Sequence, residues 1–375
     1  MPKRIYVGVD GTARQVKKAY IGISGVARRI KKAYIGINGV ARIFFGGSLE
    51  YNGPVTPLSV GRSNLAATTV GNFALFGGGS NVSYKASNVV DAYNKTLTRT
   101  APTVLSVARS GLAATALSNF ALFGGGSPNS SVNSAVVDAY DKSLTQTIPT
   151  ALSVARESLV ATTVGGYALF GGGFANSAGN SDAVDAYDTS LTRTTPTKLS
   201  VKRAYLAAIA VGSYALFAGG NAGYNIQYKI VDAYNTSLTR TTPTTLSVGR
   251  SSLAATTVGD FALFGGGEES IDGCCTTVDA YDKSLTRTNP TGLSVAKCSF
   301  AATTLEDYAL FGGGFDVDYN YSVIVDVYDK SLTRTNPTGL SAGRCMLVAT
   351  TVGSYALFGG GEGNNGGAVV DTYSI

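Results

Sequence analysis

The side chains that most often carry acid–base or metal chemistry are scarce in this chain. Its 375 residues include no histidine and no tryptophan, which removes the usual general base, the relay of a catalytic triad and the commonest metal ligand. The spacing of the four cysteines, Cys274, Cys275, Cys298 and Cys345, matches neither a zinc site nor a disulfide framework. We therefore expect unpaired thiols, no bound metal, no cofactor and no enzyme activity.

Two kinds of charged residue recur seven times. The basic ones are Arg62, Arg109, Arg156, Arg203, Arg250, Lys297 and Arg344. The acidic ones are Asp91, Asp138, Asp185, Asp232, Asp279, Asp326 and Asp371. An anion site near the mouth of a central channel is one interpretation of the cations, but we favour packing, with each bonded to a neighbouring carbonyl or carboxylate. A half-buried acid likewise needs a partner, and catalysis would not require seven copies.

One further cluster has ligands suited to calcium, which prefers oxygen atoms. Asp316, Asp318 and Asn320 lie in the segment DVDYN, and Asp272 lies elsewhere. The segment lacks the rest of a calcium-binding loop. The sequence therefore predicts no metal site.

A 47-residue repeat organises most of the chain. The segment FALFGGG recurs, and the residue after its last Phe is Gly77, Gly124, Gly171, Ala218, Gly265, Gly312 or Gly359. Each copy contains four short segments rich in β-branched and aromatic residues, separated by turn-forming residues. The repeat predicts one four-stranded antiparallel sheet per copy.

Seven such sheets predict a closed ring. A single sheet cannot bury both faces, whereas sheets packed in a circle leave no face without a partner. The innermost strand, residues 65–70, has the small and β-branched residues that suit a crowded axis. Because the chain ends after a third strand, the segment from Leu49 to Gly53 is expected to supply the missing fourth. The predicted fold is an all-β, seven-bladed propeller over residues 46–375, with the N- and C-terminal strands sharing one blade.

Within residues 49–375 the repeat resembles that of the kelch-repeat propellers. The shared features are a Gly-Gly pair that ends one strand, a Val-Asp-Ala-Tyr-Asp type strand about a dozen residues later, and an Arg that opens the next blade. The chain departs from the family where an aromatic residue is expected after that Tyr, since Thr98, Arg99 and Thr100 stand there. The resemblance implies an interaction module, but not the partners of kelch proteins from animal cells.

Residues 1–45 carry a different repeat, of 14 residues. Tyr6, Tyr20 and Tyr34 each open a Y-[VI]-G-[VI]-x-G-x-A-R unit. Within the units, Asp10-Gly11, Ser24-Gly25 and Asn38-Gly39 are two-residue hairpin turns of the kind that needs positive φ. We expect a meander of very short strands. Because such a ribbon is marginal alone, the arm should associate with itself, forming a homo-oligomer, or dock on a larger body.

The arm resembles the repeated hairpin modules at the starts of phage and prophage structural proteins of Gram-positive hosts. This resemblance implies that the arm anchors the protein in a particle. The residues assigned to anchoring are Arg14, Lys17, Lys18, Tyr20, Arg28, Lys31, Lys32, Tyr34 and Arg42.

The seven copies differ from one another in three places. The nine residues after each Gly triplet share length but almost no sequence in six copies, and the seventh copy has the shorter EGNNGGA. The pair after each basic residue also varies, as in Ser63-Asn64 and Ala204-Tyr205. So does the residue before each Leu-Ser, such as Lys198, Thr245 and Gly292.

The three variable sets are expected on one face of the disc, because connections in an up-and-down blade alternate between its faces. The arm enters at the start of a fourth strand, on the opposite face. Surface loops that vary for lack of constraint are the simpler explanation, but a fixed loop length and a wealth of Tyr, Phe, Asn and Ser favour recognition. The aromatic candidates to stack on a sugar ring or fill a protein pocket are Tyr84, Phe174, Tyr205, Tyr224, Tyr228, Phe315, Tyr319 and Tyr321.

The leading hypothesis is a non-enzymatic structural protein of a phage or phage-derived particle. Its propeller would bind a bacterial surface glycan or protein, and its arm would bind other particle proteins. The first 18 residues contain charges throughout and lack the apolar stretch of a signal peptide, and no long apolar run predicts a membrane span. We expect synthesis in the bacterial cytoplasm and a place on the virion.

Four alternatives stay open. The protein is a capsid- or tail-decorating scaffold without a receptor role, or an intracellular kelch-type interaction module. Nucleic-acid binding through the arm is a less favoured third hypothesis, and hydrolysis of a surface glycan is the enzyme alternative.

Charge is divided unevenly along the chain. The formal net charge is +6, but residues 1–45 hold ten Lys and Arg against one acid, Asp10. The other residues therefore hold 20 basic and 23 acidic side chains. Any anionic partner should be sought at the arm, because the propeller is mildly acidic.

Overall fold

The computed structural model of the protein shows the predicted seven-bladed propeller. It describes residues 48–129, 131–223, 226–269, 273–363 and 367–375, together with the backbone of six short strands within residues 6–46. Seven four-stranded antiparallel sheets form the blades. Their innermost strands contact one another in a closed cycle, in which the seventh touches the first.

Blades 1 to 6 are each built from four strands in sequence order from the axis outward, whereas blade 7 takes its outer strand from residues 50–54. The first strands are Ala66–Val70, Ala113–Leu117, Val160–Val164, Ala207–Val211, Ala254–Val258, Ala301–Leu305 and Val348–Val352. The second strands are Phe73–Gly77, Phe120–Gly124, Tyr167–Gly171, Tyr214–Ala218, Phe261–Gly265, Tyr308–Gly312 and Tyr355–Gly359. The third strands are Val90–Asn94, Val137–Asp141, Val184–Tyr187, Val231–Asn235, Val278–Tyr281, Val325–Asp329 and Val370–Ser374. The outer strands are Arg99–Thr100, Gln146–Thr147, Arg193–Thr194, Arg240–Thr241, Arg287–Thr288, Arg334–Thr335 and Glu50–Pro54.

Hydrophobic patterning explains the position of each strand. In the first strand of blade 1, buried Ala66, Thr68 and Val70 alternate with half-exposed residues, as expected for a strand with one packed face. In contrast, the second and third strands are buried almost throughout. Such strands lie between neighbouring blades and pack on both faces, so they read as continuous apolar runs.

The core is divided into seven layers, one between each pair of neighbouring blades. Each layer contains buried residues from two consecutive blades. In the layer between blades 1 and 2, the ring of Phe123 occupies the space where a Cβ on Gly77 would lie, at 2.8 Å. The same fit joins Gly359 of blade 7 to Phe76 of blade 1. In six of the seven blades, the Gly that ends the second strand therefore admits an aromatic ring from the next blade; blade 4 has Ala218 at this position.

The two ends of the propeller sequence close the ring, as predicted. The outer strand Glu50–Pro54 pairs with Val370–Ser374, which places an N-terminal strand in the blade that holds the C-terminus. Glu50 pairs with Ser374, which in turn pairs with Tyr355 beside the turn at residues 353–354. The chain therefore enters the propeller at the edge that carries the short turns, in agreement with the sequence.

The strands of the arm form hairpins. Tyr6–Val9 pairs with Thr12–Gln15, Ala19–Ile23 with Val26–Ile30, and Lys32–Ile37 with Val40–Gly46. Each pair is a separate two-stranded sheet among the described residues, so the expected continuous meander is replaced by three hairpins. The three predicted turn dipeptides lie outside the described residues, but two residues separate the paired strand ends in every hairpin.

The long loops of the blades contain some regular structure of their own. Two additional strand pairs join Glu268–Glu269 to Gly273–Cys274 and Arg344–Cys345 to Glu362–Gly363. Asn176–Ala178 is a short 3-10 helix. Within the described residues, no helix has both the length and the apolar character required to cross a bilayer.

Candidate functional site

The blade topology gives the disc two different faces. The loops from second to third strands and the connections from each outer strand to the next blade share one face, here called the variable face. The tight turns between first and second strands and between third and outer strands share the other, here called the turn face. All three variable sequence sets therefore lie in connections of one face, as the sequence predicted.

The recurrent cations are buried within the blades. Arg62 donates to the carboxylate of Asp91 at 2.8 Å and to the carbonyl of Phe76 at 3.0 Å, and the side chains of the pair are 0% exposed. All seven basic residues make the equivalent ion pair with the acid of their own blade. The packing interpretation is confirmed.

The recurrent acids are more deeply buried than expected. Asp91 is fully rather than half buried, and it also accepts hydrogen bonds from the backbone N–H of Ser59 at 3.1 Å and from Arg99 at 2.7 Å. Burial raises the pKa of Asp91, but the charge of Arg62 and the hydrogen bonds from Arg99, Arg62 and Ser59 outweigh this effect and lower it. Each acid thus bonds to three parts of the structure: the buried basic residue of its blade, the outer strand, and the connection from the preceding blade.

Arg99 has a structural role at the position where the sequence differs from the kelch repeat. It stands where that family has an aromatic residue, and its guanidinium bonds to the buried acid. In blade 2 the same place is taken by Gln146, whose amide donates to Asp138 at 2.9 Å. A polar clamp therefore fixes the outer strand of these blades.

One pair of cysteines contradicts the expectation of unpaired thiols. Cys274 and Cys298 form a disulfide with a Cα–Cα distance of 5.4 Å, while Cys275 and Cys345 are free and buried. The position of Cys274 faces the next blade, since its counterparts Asn133 and Asn180 each donate to a carbonyl there. The bond joins two neighbouring blades on the variable face. The 24-residue separation in sequence therefore does not indicate that the two cysteines are in contact.

The disulfide predicts a measurable thiol count and a stability change. Alkylation of the denatured, unreduced protein should modify two cysteines, and four after reduction. Cys298→Ser should lower the free energy of unfolding by about 3 kcal/mol, because the bond closes a loop of 24 residues. Urea unfolding with and without reductant checks this. Cys345→Ser, which removes a free thiol, should unfold with unchanged dependence on reductant.

The acidic segment at residues 316–320 forms a turn. The Asp316 carboxylate accepts from the backbone N–H groups of Asp318 and Asn320, each at 2.9 Å, and from the Asn320 side chain. Asp272 lies outside the described residues. No group of three or more metal-ligating side chains occurs in the part of the chain that the structure describes.

A ring of backbone hydrogen bonds surrounds the axis on the variable face. It is formed by the second residue of each variable pair, whose N–H donates to the carbonyl of its counterpart in an adjacent blade. The members are Asn64, Gly111, Ser158, Tyr205, Ser252, Ser299 and Met346, with N–O distances of 2.8 to 3.2 Å. All have positive φ. The ring closes because Asn64 bonds to Met346, and sequence comparison alone gave no sign of it.

The predicted aromatic residues do not form one cluster. Tyr84 and Tyr319 are 80% and 77% exposed, whereas Phe174 and Tyr321 are each 37% exposed. Tyr205 projects from the backbone ring, and Phe315 stacks on Tyr319 with ring centroids 5.4 Å apart. Tyr228 is partly buried, and Tyr224 lies outside the described residues.

Two of these aromatic residues share a pocket at the seam where the ring closes. Tyr84 of blade 1 and Tyr321 of blade 6 line a cavity of about 230 Å³ together with Asn81 and Glu362. Burial raises the pKa of Tyr321, and the negative charge of Glu362 raises it further. Glu362 was not among the residues predicted from the sequence, because those candidates were all aromatic. A second depression, lined by Tyr319, Tyr321 and residues 341–343, adjoins the first.

The exposed large apolar side chains are confined to one face. Every such residue in the described part of the chain lies in a connection of the variable face. They are Val60, Val82, Tyr84, Val104, Val132, Ile148, Val154, Phe174, Tyr205, Ile226, Val317, Tyr319, Tyr321 and Val323. Exposed apolar residues gathered on one side of a protein often mark an interaction surface.

Comparisons with known proteins define the fold but not the function. No model of a protein family matches the chain, and no curated protein is significantly similar in sequence. The solved structure of YjhT is similar, with a TM-score of 0.58 and 16% sequence identity, over 71% of this chain and 94% of YjhT. At this identity the likeness shows the fold alone, a β-propeller.

The residues assigned to anchoring lie in or between the hairpins of the arm. Arg14, Tyr20, Arg28, Lys32, Tyr34 and Arg42 are in its strands, and Lys17, Lys18 and Lys31 lie outside the described residues. Their role in anchoring stays a prediction.

Proposed function

We propose that the protein is a non-enzymatic binding protein of a phage or phage-derived particle. The arm anchors it to other particle proteins, and the variable face of a kelch-like propeller binds a bacterial surface glycan or protein. The observation that carries the proposal is the confinement of exposed apolar residues to that face.

The contrast between framework and face supports this proposal. The buried ion pairs and the aromatic contacts between strands are repeated from blade to blade. The loops between second and third strands have the same length in six of the seven blades, but their sequences differ. A rigid scaffold that carries diverse loops is a common arrangement for recognition.

The position of the arm supports a division of labour. The chain enters the propeller at the turn face, so an anchor attached there leaves the variable face accessible. The charge of the arm is opposite in sign to that of the propeller. A basic arm suits an acidic surface on a neighbouring particle protein.

Loop replacement tests the binding role in the full-length protein. Replacing residues 81–86 and 316–321 with Gly-Ser segments of equal length should reduce binding of the labelled protein to Gram-positive cells by at least about tenfold, since it removes the most exposed tyrosines. The control replaces turn residues 142–143 and 283–284 on the turn face with Gly-Ser and should leave binding unchanged. Equal binding by both variants would show that the variable face is not the receptor-binding surface.

Deletion of residues 1–45 tests the anchoring role separately. Particles should lose the protein, while the purified propeller should still bind cells. If particles retain a propeller that lacks the arm, the arm is not the anchor. A protein that enters particles normally and binds no bacterial cells would favour the decorating-scaffold alternative.

A further inference from the structure

The pocket at the closing seam differs in position and lining from the other depressions of the variable face. Blade 1 contributes Tyr84 and Asn81, blade 6 contributes Tyr321, and blade 7 contributes Glu362. It lies beside the seventh loop, which is two residues shorter than the other six. Tyr84 and Tyr321 are 80% and 37% exposed, so both rings are accessible.

The charge of the pocket selects against anions. Glu362 brings a carboxylate to the wall. Arg62 also contributes to the wall, but its guanidinium is buried and bonded to Asp91 and to the carbonyls of Val60 and Phe76. The charged and aromatic groups that a ligand can reach in the pocket are therefore one carboxylate and two phenol rings. Such a combination attracts a cation, which interacts with both the negative charge and the faces of the rings.

The size and polarity of the pocket further limit the kind of ligand that fits. A volume of about 230 Å³ is below the roughly 300–1,000 Å³ of sites for drug-sized ligands, which suits a single ring or side chain. Ser63, Ser80 and Asn81 add hydroxyl and amide groups to the wall. A sugar matches more of these groups than an alkyl ammonium does, because its several hydroxyls both donate and accept hydrogen bonds.

The neighbouring depression indicates a polymer. It shares Tyr321 with the pocket and continues along residues 341–343, so a chain of linked units could occupy both. Sugar rings pack well against tyrosine faces, because one side of the ring presents C–H groups to the aromatic surface. Accessible rings and a carboxylate in one pocket therefore fit a glycan better than an isolated metabolite.

We infer that this pocket binds an amino sugar with a protonated amine, within a surface glycan; the inference rests on the proposed function and names its ligand class. Glu362 pairs with the ammonium group, Tyr84 and Tyr321 contact the ring, and the serine and asparagine groups bind its hydroxyls.

Saturation-transfer NMR on the full-length protein tests the inference with D-glucosamine, N-acetyl-D-glucosamine and L-lysine methyl ester as probes. Glucosamine should bind at least about tenfold more tightly than the N-acetyl sugar, which has no charge, and more tightly than the lysine ester. Glu362→Gln should abolish this preference. Tyr84→Ala should weaken glucosamine binding without unfolding, because Tyr84 is 80% exposed.

Glu268→Gln is the matched control, since Glu268 is the exposed counterpart of Glu362 in blade 5 and does not line the pocket. It should bind glucosamine like the unmodified protein. Absence of transfer from glucosamine, or a preference that survives Glu362→Gln, would overturn the inference. Equal binding of the lysine ester would exclude the sugar as the specific ligand. If the protein binds cells but does not bind glucosamine, this inference is wrong and the proposed function is unaffected.

Discussion

Asp185→Ala should lower the free energy of unfolding by about 3–5 kcal/mol, the range measured when one partner of a buried ion pair is removed. Asp185 is 0% exposed and accepts hydrogen bonds from Arg156 at 2.8 Å, Arg193 at 3.0 Å and the backbone N–H of Ser153 at 2.9 Å. Its loss leaves the Arg156 guanidinium buried with no neutralising charge, at the junction of three segments. Urea unfolding followed by circular dichroism measures the change.

The chain offers two controls for this prediction. Asp260→Ala breaks an exposed pair with Lys283 and should cost no more than about 1 kcal/mol. Arg156→Lys should cost less than Arg156→Met, because Lys297 already fills the equivalent position in blade 6 and reaches Asp326 at 3.0 Å. A loss of stability for Asp185→Ala no larger than that of Asp260→Ala would show that the buried network does not hold the blade together.

Gly173→Ala should destabilise the propeller by about 2–4 kcal/mol, because backbone strain and steric overlap act together. Gly173 has φ +106°, and a Cβ there would lie 2.6 Å from the carbonyl oxygen of Glu157. Its N–H donates to the carbonyl of Arg203 in the next blade at 2.9 Å, so a shift of the backbone would also disturb the contact between blades. Thermal and urea unfolding of the variant measure the effect.

Gly166→Ala is the matched control in the same blade. A Cβ at Gly166 meets nothing within 4 Å and the residue does not have positive φ, so the substitution should be neutral or stabilising by up to about 1 kcal/mol. Similar losses for both variants would mean that the position in the Gly triplet carries no special constraint. The contrast separates the effect of local geometry from the general loss of a glycine.

Much of the fold was predictable because each blade repeats one local pattern. Turn residues and alternating or continuous apolar segments mark the strands wherever they occur. The closure by residues 49–53 followed from counting, since a chain that ends after a third strand leaves a place for one more. The separation of the variable sets from the short turns followed from strand connectivity alone.

Two predictions for the propeller failed because they depend on distances across blade boundaries. Cys274 and Cys298 are 24 residues apart in sequence and bonded in space, and their residue types alone do not reveal that the two blades bring them together. The burial of Asp91 was underestimated because its third partner, the Ser59 N–H, comes from the connection that precedes its blade. In both cases the decisive neighbour belongs to another part of the ring.

The sequence by itself determined the number of blades, the way the ring closes and the face on which diversity is collected, because these depend on repeat length and strand order. Only the tertiary structure decided which side chains meet on that face. The backbone ring through Asn64 and Met346 and the pocket between Tyr84, Tyr321 and Glu362 exist because ring closure brings the first blade beside the last. Residues from opposite ends of a chain acquire a common surface only when packing fixes the angle between every pair of blades.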